Sequence, residues 1–166
     1  MTDAKTPKGG ETSKGALVGG ANDAAPVDAA LVDAAPVDAA LVDAARAVRA
    51  HAHAPYSRYH VGAAVRGASG KIYSGANVEN ASYGLALCAE RSAVAAAISA
   101  GEKRIGAVAV VTSTSPPAAP CGMCRQVLAE FAGDDLPIAL VNDAGERSDT
   151  TLGALLPHAF RSGDLT

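Results

Sequence analysis

The sequence lacks an excess of basic residues. Its 166 residues include 14 lysines and arginines against 17 aspartates and glutamates, which gives a net charge of −3. Three basic and six acidic residues precede Asp43, and the remainder carries 11 of each sign. Domains that bind DNA or RNA usually display a basic stripe that neutralises phosphates. We therefore expect a small-molecule substrate and no nucleic-acid partner.

Long hydrophobic runs are also absent. The residues after Met1 are polar and glycine-rich, without the apolar core of a signal peptide. No stretch of about 18 apolar residues, the length needed to cross a bilayer, occurs in the chain. We expect a cytoplasmic protein with no membrane partner.

Cysteine is scarce. The three cysteines are an odd number, and two of them, Cys121 and Cys124, form a C-x-x-C motif. A disulfide framework needs paired cysteines in an oxidising compartment. The pattern instead indicates a metal or redox site.

Length and composition predict a single folded domain, because 166 residues with 49% hydrophobic content suffice for one core. Residues 1–22 are rich in Gly, Lys, Thr and Ser. Across residues 23–42 the unit Asp-Ala-Ala-Pro-Val-Asp-Ala-Ala-Leu-Val occurs twice, and Pro26 and Pro36 interrupt any continuous helix there. We interpret residues 1–36 as a disordered or low-complexity extension and residues 37–166 as the folded domain.

The predicted domain alternates between helical and strand patterns. Apolar spacing and alanine-rich composition predict helices over 37–53, 88–100 and 121–132. Runs rich in apolar and β-branched residues predict strands over 61–66, 71–76, 107–112 and 137–141. The order α-β-β-α-β-α-β places helices on both faces of a mixed sheet. We predict a three-layer α-β-α sandwich of the α/β class.

All three cysteines stand at predicted helix starts. Cys88 opens one helix, and the segment Pro120-Cys121-Gly122-Met123-Cys124 opens the next. Cys121 and Cys124 lie one turn apart, and the positive end of each helix favours the thiolates that zinc requires. Three thiolates leave one tetrahedral position open, as in catalytic zinc sites. We predict a zinc site formed by Cys88, Cys121 and Cys124.

Glu90 is the predicted catalytic residue. It follows Cys88 by two positions, so it lies near the metal without having to bind it. Hydrolysis of an aminopyrimidine needs a metal-polarised water and a carboxylate that moves protons. A zinc ligand, one residue, a glutamate and a later Pro-Cys-x-x-Cys form the signature of the zinc deaminases.

The chain resembles the cytidine deaminase family, within it the short homotetrameric class with a three-cysteine zinc site. The resemblance rests on five blocks in order, at residues 55–64, 77–84, 88–91, 120–128 and 155–160. It implies a cytidine deaminase-like fold, one Zn²⁺ per subunit, and deamination of cytidine and deoxycytidine in pyrimidine salvage.

The resemblance also implies the substrate contacts within one subunit. Asn77 and Glu79 would hold the ribose hydroxyls, and the Ala89 amide would bind the ring carbonyl. Glu90 would also recognise ring nitrogen 3, and Tyr59 would pack on the nucleoside.

Three further substrate contacts are implied to come from neighbouring subunits of a homotetramer. Phe160 would stack on the base, and Ala81 and Tyr83 would complete the site. The resemblance therefore implies an active site shared between subunits.

Two residues are predicted to donate hydrogen bonds to the zinc ligands without binding zinc themselves. Three thiolates on Zn²⁺ sum to a charge of −1, which makes bound water less acidic than at a neutral-ligand site. Arg91 lies one helical turn from Cys88 and is placed to donate to the thiolates. Gln126, two residues after Cys124, is a weaker candidate for the same role.

Two alternatives stay open at this point. Another small-molecule zinc deaminase, such as one resembling blasticidin S deaminase, would share the three-cysteine site. Transfer-RNA adenosine deaminases typically have histidine where Cys88 stands and need a basic surface. A non-catalytic zinc module is the second alternative, and it has no use for an acid such as Glu90 beside an open metal position.

Overall fold

A five-stranded mixed sheet organises the chain in this computed structural model, which describes residues 36–165. The strand order is β2-β1-β3-β4-β5. β3 and β4 run parallel, and the other neighbouring pairs are antiparallel. The strands are β1 (Gly62–Gly67), β2 (Ile72–Ala76), β3 (Ile105–Thr112), β4 (Pro137–Asn142) and β5 (Arg147–Thr151).

Helices cover both faces of the sheet. Alternate side chains of β3 point to opposite faces, as the strand geometry requires. Val108 and Val110 pack in the cluster that includes residues of α2 and α3, whereas Ala109 and Val111 pack with α1. The predicted three-layer α-β-α sandwich is confirmed. The helices are α1 (Ala39–Arg49), α2 (Ala89–Ser99), α3 (Gly122–Phe131) and α4 (Leu152–Leu155).

Asp38 sets the start of α1. Its Oδ1 accepts a hydrogen bond from the Leu41 amide at 2.9 Å, and both carboxylate oxygens lie 2.8 Å from Nη2 of Arg66. The helix ends at Arg49, four residues earlier than predicted. The cause is that His53 is extended: its amide donates to the Asn77 carbonyl at 2.9 Å. The predicted last turn is therefore part of the segment that leads to the site.

The sequence prediction missed β5 and α4. β5 reads Arg-Ser-Asp-Thr-Thr, without the apolar alternation that marks a strand, because it is an edge strand with exposed side chains. α4 is a single turn, and the Thr151 hydroxyl caps it by accepting from the Ala154 amide at 3.3 Å. β5 forms one edge of the sheet, and α4 follows it directly.

Residues 1–35 lie outside the described residues, so the interpretation of residues 1–36 as an extension stays a prediction. Within the described part of the chain, no helix is long and apolar enough to cross a membrane.

Replacing Leu41 with alanine will destabilise the zinc-loaded protein by about 2–5 kcal/mol. Leu41 is fully buried between α1 and the sheet, so truncation removes apolar contacts and leaves a cavity. Urea denaturation measures the loss. The control is Leu165→Ala, at a side chain that is 75% exposed, with an expected change within about 0.5 kcal/mol. Equal effects of the two substitutions would contradict the packing of α1.

Candidate active site

The N-termini of α2 and α3 meet at one end of the sheet. Cys88 is the N-cap residue of α2 and Cys121 that of α3, and neither side chain caps its own helix. Their sulfurs are therefore free to face each other. Cys124 lies in the first turn of α3 and is buried. Helix N-termini carry partial positive charge, which stabilises thiolates.

The three cysteine sulfurs form a tight triangle. Sγ of Cys121 lies 3.9 Å from Sγ of Cys88 and 3.5 Å from Sγ of Cys124. All three sulfurs are within 4.8 Å of one another. Thiolates bound at about 2.3 Å to a tetrahedral zinc ion stand about 3.8 Å apart. The triangle therefore fits three ligands of one zinc ion.

The cysteines do not lose their protons equally. Hydrogen bonds from the Cys124 thiol and from Arg91 lower the pKa of Cys88 to about 5. The pKa of Cys124 is raised, because its thiol donates to Cys88 and is buried. A cation at the centre of the triangle is what favours three thiolates together.

Arg91 contacts the cysteine triangle from α2. Its Nη2 lies 3.6 Å from Sγ of Cys88 and donates to the Ala86 carbonyl at 3.1 Å. The guanidinium therefore places positive charge beside one predicted zinc ligand and also fixes the chain that precedes it.

Glu90 follows Cys88 into the first turn of α2. Only 5% of the residue is exposed. Burial raises the pKa of its carboxyl above the usual range, and the charge of Cys88 adds to this. The structure thus places a carboxyl of raised pKa beside the triangle.

A cavity of about 190 Å³ opens onto the triangle. Six predicted site residues line it, and Cys124 lies in the triangle itself. The six are Tyr59, Asn77, Cys88, Ala89, Glu90 and Cys121.

Asn77 and Glu79 hold the segment of residues 56–61 that forms one side of the cavity. Oδ1 of Asn77 accepts from the Val61 amide and Nδ2 donates to the Tyr59 carbonyl, both at 2.8 Å. The Glu79 carboxylate accepts from the hydroxyl and amide of Ser57 and from the Tyr56 amide at 2.9 Å. The Ser57 hydroxyl lowers the pKa of Glu79, which therefore stays an ionised acceptor at neutral pH.

Four predicted substrate residues, Glu79, Ala81, Tyr83 and Phe160, do not line this cavity. Ala81 is exposed, Tyr83 is 79% exposed and lines an adjacent cavity with Glu79, and Phe160 is 58% exposed. Nε2 of Gln126 donates to the Phe160 carbonyl at 2.7 Å, so this predicted zinc-supporting residue contacts the C-terminal segment.

The sequence prediction overlooked five lining residues. They are Val61, Val110, Thr112, Ala118 and Ala119. One signal was available: Thr112 ends the apolar run of the predicted third strand, and ligands of α/β sheets bind at the carboxyl ends of strands. The two alanines carry no chemical signal, since only the fold turns them toward the cavity.

Known proteins with similar sequences are cytidine deaminases. Residues 36–140 match the model of the cytidine and deoxycytidylate deaminase zinc-binding region. The chain is 45% identical over 121 residues to a cytidine deaminase of Sporosarcina psychrophila, which covers 73% of this chain and 89% of the relative.

Solved structures agree in fold and in sequence. The crystal structure of cytidine deaminase from Burkholderia pseudomallei is 50% identical with a TM-score of 0.70, and the match covers 73% of this chain and 97% of that one. The crystal structure of cytidine deaminase from Mycobacterium tuberculosis is 43% identical with a TM-score of 0.64. The match covers 74% of this chain and 95% of that one.

The matched zinc-binding region contains the whole triangle of Cys88, Cys121 and Cys124, which fits one zinc ion per subunit. Glu90 and the strands β1 to β4 fall within 36–140 as well, apart from the last residues of β4. The chain therefore belongs to the cytidine and deoxycytidylate deaminase family.

Proposed function

We propose that this protein hydrolyses cytidine and deoxycytidine to uridine and deoxyuridine with release of ammonia, as a cytoplasmic enzyme of pyrimidine salvage. Its relatives at 40–47% identity include several named cytidine deaminases, and the blasticidin-like alternative is not favoured. The cavity of about 190 Å³ is smaller than the range of about 300–1,000 Å³ for drug-sized ligands. The base of the nucleoside is therefore a suitable occupant of this cavity.

The observation that carries the proposal is the buried carboxyl of Glu90 beside three convergent cysteine sulfurs. Zinc held by these sulfurs supplies the Lewis acidity that makes water a nucleophile near neutral pH. Glu90 accepts a proton from the attacking water at a carboxylate oxygen. Glu90 delivers this proton to ring nitrogen 3 as the water oxygen bonds to C4. It then moves the remaining hydroxyl proton to the amino group, so that the C4–N bond breaks, ammonia leaves, the C4 carbonyl forms and Glu90 is regenerated. A purely structural zinc site would have no use for this carboxyl.

The polar side chains near the cavity retain hydrogen-bonding capacity for a sugar. Asn77 uses one Nδ2 hydrogen on Tyr59, and the second is available to a hydroxyl oxygen. Oε1 of Glu79 accepts from the Ser57 hydroxyl and has a further lone pair for a sugar hydroxyl. The Ala89 amide, at the N-terminus of α2, is assigned to the ring carbonyl, and Tyr59 to the nucleoside face.

The proposal includes a homotetramer with shared active sites. Ala81, Tyr83 and Phe160 are exposed and lie outside the cavity of their own subunit, which suits residues that act in a neighbour's site. A mixing experiment tests this sharing. Glu90→Gln and Phe160→Ala subunits, each impaired alone, will regain activity when dissociated and reassembled together. Failure to regain activity in a verified mixed tetramer would refute sharing.

The substrate assignment is tested by steady-state kinetics on cytidine, deoxycytidine and blasticidin S. Loss of absorbance on removal of the amino group measures each rate. We expect both nucleosides to give a kcat/KM at least about 100-fold above that of blasticidin S, a difference of about 2.7 kcal/mol in transition-state binding. Turnover of blasticidin S alone would replace the proposed substrate, and turnover of none of the three by zinc-loaded protein would refute the assignment.

Replacing Arg91 with alanine will lower turnover per bound zinc by about 10- to 100-fold, while zinc occupancy changes little. The guanidinium donates to Cys88, so its loss leaves more negative charge on the thiolates and weakens the Lewis acidity of the zinc ion. Metal analysis beside the activity assay separates the two effects. Arg46→Ala is the control, at an arginine of α1 whose Nη2 donates to the Asn142 carbonyl at 3.5 Å. Lost zinc with unchanged turnover per zinc would contradict this role.

A further inference from the structure

The segment between β3 and α3, residues 113–120, forms part of the cavity wall and leads directly into Cys121. We call it the β3–α3 loop. Ala118 and Ala119 of this loop line the cavity, as does Thr112 at the end of β3. The position of this wall sets how closely a ligand is enclosed.

Thr112 attaches the wall to the sheet. Its Oγ1 accepts a hydrogen bond from the Ala118 amide at 3.3 Å and lies 3.2 Å from Oγ1 of Thr114. Thr112 is only 2% exposed, so its hydroxyl is held rigidly by the strand around it. A buried residue in a strand fixes a loop more firmly than a contact within the loop itself.

Asn142 and Glu146 hold the other half of the β3–α3 loop. Asn142, the register partner of Thr112 on β4, donates from Nδ2 to the Thr114 carbonyl at 3.0 Å. Oε2 of Glu146 accepts from the Ser115 hydroxyl at 2.8 Å and from Nδ2 of Asn142 at 2.6 Å. The loop is thus bonded to the carboxyl ends of two parallel strands.

The end of the loop is attached independently. Nε of Arg125 donates to the Pro120 carbonyl at 2.7 Å, and the same guanidinium reaches the Leu155 carbonyl at 2.7 Å through Nη1. Pro120 is itself fully buried. Cys121 therefore keeps its place when the bond between Thr112 and Ala118 is removed.

From these contacts we propose that Thr112 is a positioning residue: its hydroxyl fixes the Ala118–Ala119 wall and thereby sets the affinity for the nucleoside, without acting on the zinc site. The inference rests on the proposed function for its ligand. Because Thr112 acts on binding in the ground state and the transition state alike, its loss raises KM and leaves kcat nearly unchanged.

The test compares Thr112→Val with Thr112→Ser in the full-length, zinc-loaded protein. Valine keeps the shape and removes the acceptor for the Ala118 amide, whereas serine keeps the hydroxyl. We expect valine to raise KM for cytidine about 10-fold, with kcat and zinc content within about twofold of wild type. Serine will restore KM to within about twofold. Ser113→Ala, which removes an exposed hydroxyl from the same loop, is the control and will leave KM unchanged.

Amide hydrogen exchange at Ala118 gives a readout that does not depend on catalysis. Exchange will be faster in Thr112→Val than in wild type, Thr112→Ser or Ser113→Ala. Unchanged exchange and an unchanged KM in Thr112→Val, or a serine variant as impaired as the valine variant, would overturn the proposal. A fall in kcat together with zinc loss would likewise overturn it. If wild-type protein does not turn over cytidine, the proposed function fails, and exchange at Ala118 still decides the role of Thr112.

Discussion

Replacing Glu90 with glutamine will lower kcat for cytidine by about 1,000-fold while the protein keeps its zinc ion. Glutamine has nearly the same shape but neither accepts nor releases the proton that has to pass from water to the departing amino group. Glu90 is buried at the cavity, and the cysteine triangle supplies three ligands without it. Steady-state kinetics and metal analysis of the same preparation measure the two quantities.

The control for this substitution is Glu130→Gln. Glu130 is exposed on α3, so its loss changes the charge of the protein equally without touching the cavity. We expect wild-type kinetics. A Glu90→Gln enzyme with more than about a tenth of wild-type kcat would show that another group moves the proton, and the mechanism would be wrong.

Replacing Cys124 with serine will abolish zinc binding and activity together. Cys124 is buried and lies 3.5 Å from the sulfur of Cys121, and the sequence has no fourth cysteine to replace it. Without this sulfur the triangle keeps two of its three thiolates, too few for the three-thiolate tetrahedral site. Zinc binds the folded state. At a free zinc concentration 1,000 times the Kd, the wild-type protein therefore gains about 4 kcal/mol of stability that the variant lacks.

Thermal melting with and without a chelator measures this coupling. Chelator will lower the Tm of wild-type protein and leave that of Cys124→Ser nearly unchanged. His51→Ala, at an exposed histidine outside the triangle, serves as the control and will respond to chelator as wild type does. A Cys124→Ser protein that retains stoichiometric zinc would contradict the assigned ligand set.

The zinc site and the order of the main elements were predictable because their signals are local. Each cysteine motif lies at one helix start, where spacing decides which side chains share a face. The signature of the zinc deaminases, which combines both motifs with Glu90, joined the two helix starts into one site. The layered architecture followed from the alternation of strand and helix patterns. β5 was missed because an exposed edge strand needs no apolar alternation.

The cavity wall was not predictable from the sequence. Thr112 and Asn142 are 30 positions apart, and only the parallel register of β3 and β4 makes them neighbours. Ala118 and Ala119 have no chemical signature, and their role depends on hydrogen bonds from residues of two strands. In the same way, the contact of Gln126 with Phe160 depends on the C-terminal segment folding back over α3.

Hydrolytic deamination takes the new oxygen of the product from water, so an oxygen label tests it directly. Zinc-loaded protein is incubated with cytidine in ¹⁸O-labelled water, and the product is analysed by mass spectrometry beside a Glu90→Gln sample. We expect uridine with one ¹⁸O atom at the carbon that lost its amino group, one equivalent of ammonia, and almost no product from the variant. Unchanged cytidine, or uridine without the label, would contradict hydrolytic deamination.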